Sequence, residues 1–277
     1  MKTRHEVFWQ SNTDNICQLD GNGTVSESDD EHSSMDILSD SDNSSDETVV
    51  QPNEAFDSLP RILATNARSV FPKFKDLTEH LENHRIDIGH ISESWEDINS
   101  KDHKEKKDVL ENRSGFYWFS YARPKYKEDK TKGGGGGSAV LVNKRHYNAC
   151  IIEEITVPKN VELVWVKIIP KYKCDFKIFI VCGLYSKPNS KTKTITNDHI
   201  AENYHYLKAK YSSIKFYFLG DYNDLRPDAI LQQSPQLRQL VHYPTCGRSS
   251  IDFIITDAHN RYHPPFPLPP LQPSNPL

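Results

Sequence analysis

The sequence predicts a mixed α/β fold whose strands deliver polar side chains to the edge of a sheet, and three observations predict it. Phe216-Tyr217-Phe218-Leu219 is an apolar run of strand length that leads directly into Gly220-Asp221-Tyr222-Asn223-Asp224. Arg61 to Thr65, Phe74 to His84 and Asp87 to Ile91 read as strand, helix, strand. Between Tyr117 and Leu184 the apolar runs follow one another without helical periodicity, the pattern of antiparallel hairpins.

The stretch from Phe216 to Asp224 carries the most chemistry. In extended geometry Asp221 and Asn223 point to the same side. A carboxylate there can take a proton from water or hold a metal, and a carboxamide can donate to an anionic oxygen without adding repulsion. The same residues also suit an ordinary turn, because Asp and Asn bond their own backbone. What favours chemistry is recurrence: Arg61-Ile62-Leu63-Ala64-Thr65 ends on Asn66, and Asp87-Ile88-Gly89-His90-Ile91 runs into Ser92-Glu93-Ser94-Trp95.

Composition sets the outer bounds. A chain of 277 residues with 36% hydrophobic content holds one substantial core plus a tail. No apolar run approaches the ~20 residues of a membrane span. Met1 to Gln10 lacks the apolar centre of a signal peptide, so an intracellular protein, nuclear or cytoplasmic, is expected. The five cysteines, Cys17, Cys150, Cys174, Cys182 and Cys246, show neither a disulfide framework nor zinc spacing. The net charge of -4 conceals a split, since residues 1–59 carry 14 acidic against 2 basic side chains. The remainder holds 32 basic and 24 acidic residues, a net of +8, which favours polyanions such as nucleic acid.

Taken in order, residues 1–58 read as a disordered, acidic, serine-rich leader, because Ser26 to Glu47 has almost nothing to bury. A domain is expected over 59–277. Phe74, Leu77 and Leu81 give its first helix, and Tyr117 to Tyr121 and Ser138 to Val142 form strands around a lysine-rich loop and the run Gly133 to Gly137. That run is no nucleotide-binding loop, because its lysines precede it and no helix follows. Strands are expected at Cys150 to Ile155, Val161 to Ile169 and Lys177 to Leu184, the last ending on Tyr185-Ser186-Lys187-Pro188. A helix over Asn197 to Tyr211 has Ile200, Tyr204, Leu207 and Tyr211 on one face, capped by Asn197 or Thr196. Asp198-His199 sits in its first turn, where an acid suits the helix dipole, so the pair is read as structural. A short helix near Asp228 to Gln233 precedes a final strand, Ser250 to Thr256, in which Asp252 lies between apolar neighbours and needs a partner. The proline-rich segment 264–277 reads as a rigid crossing segment, with docking to a partner's aromatic groove as the alternative. His259 and His263 are spaced like helical zinc ligands, but Pro264 and Pro265 disfavour a helix there.

Thr65-Asn66-Ala67-Arg68-Ser69, Ser92-Glu93-Ser94-Trp95, Tyr185-Ser186-Lys187-Pro188, Gly220-Asp221-Tyr222-Asn223-Asp224 and Ser250-Ile251-Asp252-Phe253-Ile254 stand in the order and at the spacing of one family. From about Pro60 onward the chain resembles the endonuclease/exonuclease/phosphatase superfamily, most closely the endonuclease domain of LINE-type (non-LTR) retrotransposons. The resemblance implies a four-layer α/β sandwich, two mixed sheets packed face to face between helices. It implies phosphodiester hydrolysis of DNA with Mg2+ or Mn2+, with Glu93 and Asn66 at the metal and Asp221 activating water. Tyr185 and Asn223 would contact the phosphate, and Asp252 would orient a histidine. Relatives of this kind nick DNA to prime reverse transcription.

Two departures bear on that implication. Some abasic-site relatives have an acid where this chain has Arg68. The family also closes with a Ser-Asp-His segment on a last strand, and the sequence reaches Leu277 without one. The expectation is therefore a sandwich lacking its last strand, with an open sheet edge and reduced or lost activity. The alternative is a non-catalytic mobile-element remnant that binds nucleic acid or acts as a scaffold.

Overall fold

The computed structural model describes residues 6–9, 59–96, 103–122, 136–246, 248–269 and 271. Among the described residues twelve strands and four α-helices follow in chain order: β1 (Glu6–Trp9), β2 (Ile62–Asn66), α1 (Phe74–Asn83), β3 (Ile88–Ser92), α2 (His103–Arg113), β4 (Phe116–Tyr121), β5 (Ser138–Asn143), β6 (Tyr147–Ile151), β7 (Glu162–Pro170), β8 (Ile178–Tyr185), α3 (Lys193–Lys210), β9 (Ile214–Asp221), α4 (Asp228–Leu231), β10 (Arg238–Gln239), β11 (Asp252–Thr256) and β12 (Phe266–Leu268). One six-stranded sheet has the order β12-β1-β2-β3-β5-β4, and the other β10-β11-β9-β8-β7-β6.

The central strands β2, β3, β5, β8 and β9 are buried on both faces because both faces are covered. Ile62, Ala64 and Val140 of the first sheet meet Val181, Tyr217 and Leu219 of the second. On the outer side of the first sheet, Leu63, Ile91 and Leu141 pack on Leu77 and Leu81 of α1. Outside the second, Trp165, Phe216 and Phe218 pack on Ile200, Tyr204 and Leu207 of α3. The result is the expected four-layer sandwich.

Two strand pairs are parallel, β2 with β3 and β8 with β9. Each is joined by a helix, α1 and α3, which is what a parallel crossover requires. Parallel pairing brings the carboxyl ends of both partners to one pole, so Asn66 pairs with Ser92 and Tyr185 with Asp221.

Several expectations need correction. The leader is not without structure throughout: Glu6–Trp9 pairs antiparallel with β2, from Val7 opposite Ala64 to Trp9 opposite Ile62. Residues 10–58 lie outside the described residues, as do the lysine-rich loop and Gly133 to Gly135. The outer edge of β2 is occupied by β1, and β1 is covered in turn by β12. The proline-rich segment thus supplies a strand at Phe266–Leu268, where Pro267 is tolerated because β12 is the sheet edge. The strand expected at Cys150 to Ile155 is shifted back to Tyr147–Ile151, and α3 begins a turn early at Lys193, which puts Thr196 inside the helix, its hydroxyl bonded to the Thr192 carbonyl at 2.9 Å. Helix α2 carries no amphipathic signature, since Val109 and Leu110 are its only apolar residues and are adjacent in sequence.

Removing residues 1–58 is therefore expected to destabilise the domain. It strips the pairing partner from β2 and costs on the order of 2 kcal/mol in ladder hydrogen bonds alone. Thermal melting of the full chain beside a 59–277 fragment checks this, with self-association of the fragment expected from its uncovered edge.

Candidate active site

Asn66 is the junction of the two sheets at this pole. Ile62 and Ala64 of β2 face the inter-sheet core, so alternation turns Asn66 the same way at the strand's last position. Tyr217 and Leu219 do the same for Asp221 on β9. The Asn66 amide Nδ2 donates to Asp221 Oδ2 and to Glu93 Oε1, both at 2.9 Å. One amide, with two hydrogens to give, thus ties together two carboxylates from different sheets. Its own Oδ1 is buried and accepts no hydrogen bond.

Glu93 reaches this cluster by a turn. Simple alternation after Ile91 would send it toward α1. Instead Glu93 takes φ +52°, a left-handed conformation unusual for a side chain of its size, and its carboxylate meets Asn66. The turn is held by its neighbours: Ser69 N–H donates to Glu93 O at 2.9 Å, Val70 N–H to Ser94 O at 3.2 Å and Trp95 N–H to Gly136 O at 3.0 Å. Arg68, Ser69, Glu93, Trp95, Asn189 and Asn223 all have positive φ, six of the nine such non-glycine residues described, and all lie on the loops that follow β2, β3, β8 and β9. Strained backbone concentrated in one place marks positions that the fold over-determines.

Asp221 is fully buried. Its Oδ1 accepts the Asn223 N–H at 3.2 Å, the turn geometry expected of Asp-x-Asn, while its Oδ2 faces Asn66. Asn223 uses one amide hydrogen on Ser186 O at 2.7 Å, and Ser186 N–H donates to Asp221 O at 2.8 Å, so the loops after β8 and β9 are stitched together. The stretch from Gly220 to Asp224 is thus a turn built on side-chain-to-backbone bonds, and that turn fixes the directions of Asp221 and Asn223. Tyr185 and Asp252 flank Asp221 in one row, each at the register position directly across from it on β8 and β11. Both are buried. Six sequence-predicted residues thus share one pole: Asn66, Glu93 and Asp221 in direct contact, Asn223 bonded to Asp221, and Tyr185 and Asp252 alongside.

His259 and His263 are not part of it. β11 runs from Asp252 away from the site, and the segment beyond it ends against the start of β2, where Tyr262 Oη–H donates to Pro60 O at 3.1 Å. Asp198-His199 lies in the second turn of α3 and not in the first as expected, so the helix-dipole reason for Asp198 does not hold. Trp165 Nε1–H donates to His199 Nε2 at 3.2 Å, and burial lowers the imidazole's proton affinity.

Three supporting residues escaped the sequence reading. Asp224 takes Lys193 Nζ at 2.5 Å and the Asn189 N–H at 3.0 Å, and the lysine holds its carboxyl below the usual range. A second acid one turn residue beyond Asn223 was the available signal. Thr245 Oγ1 accepts the N–H groups of Ile251 and Asp252, both at 3.1 Å, and so sets where β11 begins. Tyr243 is raised well above the ordinary phenol range by burial first and by the charge of Asp252 second. Nothing local in the sequence marks either of the last two.

Behind the site, His90 is wholly buried between the sheets, its Nε2 3.0 Å from Ser138 Oγ, and burial pushes the imidazole down to about 3. Its folded value lies below the unfolded value near 6.5, so its contribution is complete above pH ~6.5 and is lost as pH falls toward ~3, by at most about 5 kcal/mol. A His90→Gln variant is expected to lose less stability than the wild type between pH 6.5 and 4.5 in denaturant titrations.

Among the described residues no group of three or more His, Cys, Asp or Glu has the arrangement of a metal cluster. A hard divalent ion asks for less, since Mg2+ keeps most of its waters and binds through one or two carboxylates. Glu93 supplies one carboxylate, and Asn66, bonded to it through Nδ2, carries a buried amide oxygen that accepts no hydrogen bond, oxygen donors of the kind such an ion takes. None of the described helices is long and apolar enough to cross a membrane.

Solved structures similar to this chain include the catalytic domain of human Nocturnin, at 15% identity over 68% of this chain and 74% of that one with a TM-score of 0.49. The endonuclease domain of TRAS1, a telomere-specific non-LTR retrotransposon, is similar at 16% identity over 71% and 84% with a TM-score of 0.47. TDP2 of D. rerio, complexed with a single-strand DNA product, is similar at 12% identity over 70% and 82% with a TM-score of 0.43. No family model and no curated protein matches the chain.

Proposed function

We propose that the chain is an endonuclease/exonuclease/phosphatase-type hydrolase that cleaves phosphodiester bonds in DNA with a divalent metal ion. The observation that carries this reading is the Asn66 amide bonded at once to Glu93 and Asp221, a neutral donor holding two acids from two sheets at the carboxyl ends of parallel strands. Strand ends at one pole are where an α/β sheet protein exposes rigidly held chemistry to a ligand. The basic balance of 60–277, 32 cationic against 24 acidic residues, suits a polyanion.

Each residue then has a task. Glu93 and Asn66 Oδ1 would hold the ion, which when bound supplies charge neutralisation at the phosphate. Asp221 accepts the proton of the attacking water through a carboxylate whose two oxygens are already fixed in direction, by Asn66 and by the Asn223 backbone. Asn223 has a second amide hydrogen beyond the one given to Ser186, and that hydrogen and the Tyr185 phenol donate to phosphate oxygens, where charge develops in the transition state. Asp252, across the ladder from Asp221, is a positioning acid. Fixing these groups before substrate arrives spares reorganisation during the reaction.

Cleavage of an end-labelled DNA duplex by the full chain tests the proposal. Product is expected with Mg2+ and absent with chelator, and Glu93→Gln is expected to need a higher Mg2+ concentration for the same rate. Cleavage that ignores both chelator and Glu93→Gln contradicts the assigned roles.

A further inference from the structure

Trp95 stands two residues from Glu93 on the same clamped turn, and its indole is 40% exposed, whereas Trp118 and Trp165 are almost completely buried. Its backbone is fixed at φ +52° and its N–H is bonded to Gly136 O at 3.0 Å, so the exposure does not come from a loose segment. The next residue, Glu96, points inward to accept from Trp118 Nε1 at 3.2 Å and Ser120 Oγ at 2.9 Å, which anchors the turn on its far side. The fold therefore spends a strained left-handed residue to hold a large aromatic face in water beside the acid cluster. Across the turn, Arg68 is exposed, also at positive φ, and makes no ion pair among the described residues. Backbone bonds from Ala67 and Ser69 to Ser92 and Glu93 hold it against the same turn.

An exposed indole and an exposed guanidinium, carried by two loops whose backbones are bonded together at Ser92 and Glu93, match the repeating unit of a nucleic-acid strand, a base next to a phosphate. We infer that Trp95 is a stacking platform for an unstacked nucleobase flanking the scissile phosphate, with Arg68 on the neighbouring phosphate, so that the site takes a single-stranded or locally opened DNA strand. This rests on the hydrolase reading, and it narrows the substrate from phosphodiesters in general to strands that present a free base face. Indole stacking tolerates any base, so the preference is for strand state and not for sequence.

The test measures binding in chelator, where no turnover occurs, using a fluorescein-labelled twelve-nucleotide oligothymidylate and the same backbone with every base removed. The full-length wild type is expected to bind the intact strand about tenfold more tightly than the baseless one, in line with the worth of one aromatic stack. Trp95→Ala and Trp95→Leu are expected to bind the intact strand about tenfold more weakly and to lose the preference for bases, whereas Trp95→Phe keeps most of both. Arg68→Ala is expected to weaken both strands alike and to lower the salt dependence. If Trp95→Leu, melting like the wild type, still prefers the intact strand to the same degree, the stacking role is wrong. A protein that binds as expected yet cleaves nothing with Mg2+ counts against the hydrolase alone.

Discussion

Replacing Asp221 with asparagine is expected to lower the rate of DNA cleavage by about 10²- to 10⁴-fold, the usual loss when a positioned proton acceptor is removed. The effect is on chemistry because the amide cannot take the proton, while the side chain keeps its shape at the end of β9. Stability is also expected to fall. The asparagine amide must turn a donor toward either Asn66 Nδ2 or the Asn223 N–H, both of which are donors themselves. A mismatch of that kind in a buried place costs about 1–3 kcal/mol. DNA affinity in chelator is expected to stay within about threefold, since the strand contacts lie on the loops around the cluster. A parallel loss of rate and affinity would indicate a collapsed site in place of a missing base.

Gly220→Ala is expected to be the most destabilising small substitution in the site. A Cβ at Gly220 would stand 2.1 Å from Leu184 O and 2.9 Å from its carbonyl carbon. Backbone of a central strand cannot swing aside as the tip of a long side chain can, so β8 and β9 must separate where Leu184 pairs with Gly220. Overpacking of this kind costs about 3 kcal/mol or more, which lowers the melting temperature by roughly 6–12 °C in a domain of this size. The next register position is Tyr185 opposite Asp221, so cleavage is expected to fall with stability even at temperatures where the variant is folded. A variant that melts like the wild type would show that the two strands have slack at this point.

The contrast between Gly220 and β1 shows what the sequence can and cannot reveal. Gly220 sits at the junction of an apolar run and a polar turn, a local pattern, and the polar ends of β2, β8 and β9 are legible for the same reason. β1 is four residues long in a polar leader, and its partner Ala64 lies 57 positions from Val7, so nothing near it announces the pairing. Assignment of strands to sheets fails on the same ground: β5 and β6 are neighbours in sequence yet belong to different sheets. Glu93 is a subtler case. Its place after a strand suggested chemistry, but strict alternation gives it the wrong face, and only the left-handed turn held by Ser69, Val70 and Gly136 brings it to Asn66. Thr245 holds the Asp252 N–H from a loop with no periodicity, so its role follows from tertiary contact alone.

The most direct test of the account is nicking of supercoiled plasmid by the full 277-residue chain, with Mg2+ or with chelator, beside Glu93→Gln and Asp221→Asn proteins shown by melting to be folded. The account predicts relaxed circles from the wild type with Mg2+ only, with both variants depressed and Asp221→Asn the more strongly. A folded wild type that leaves the plasmid supercoiled across a range of Mg2+ and Mn2+ concentrations, or one whose nicking persists in Asp221→Asn, would contradict it.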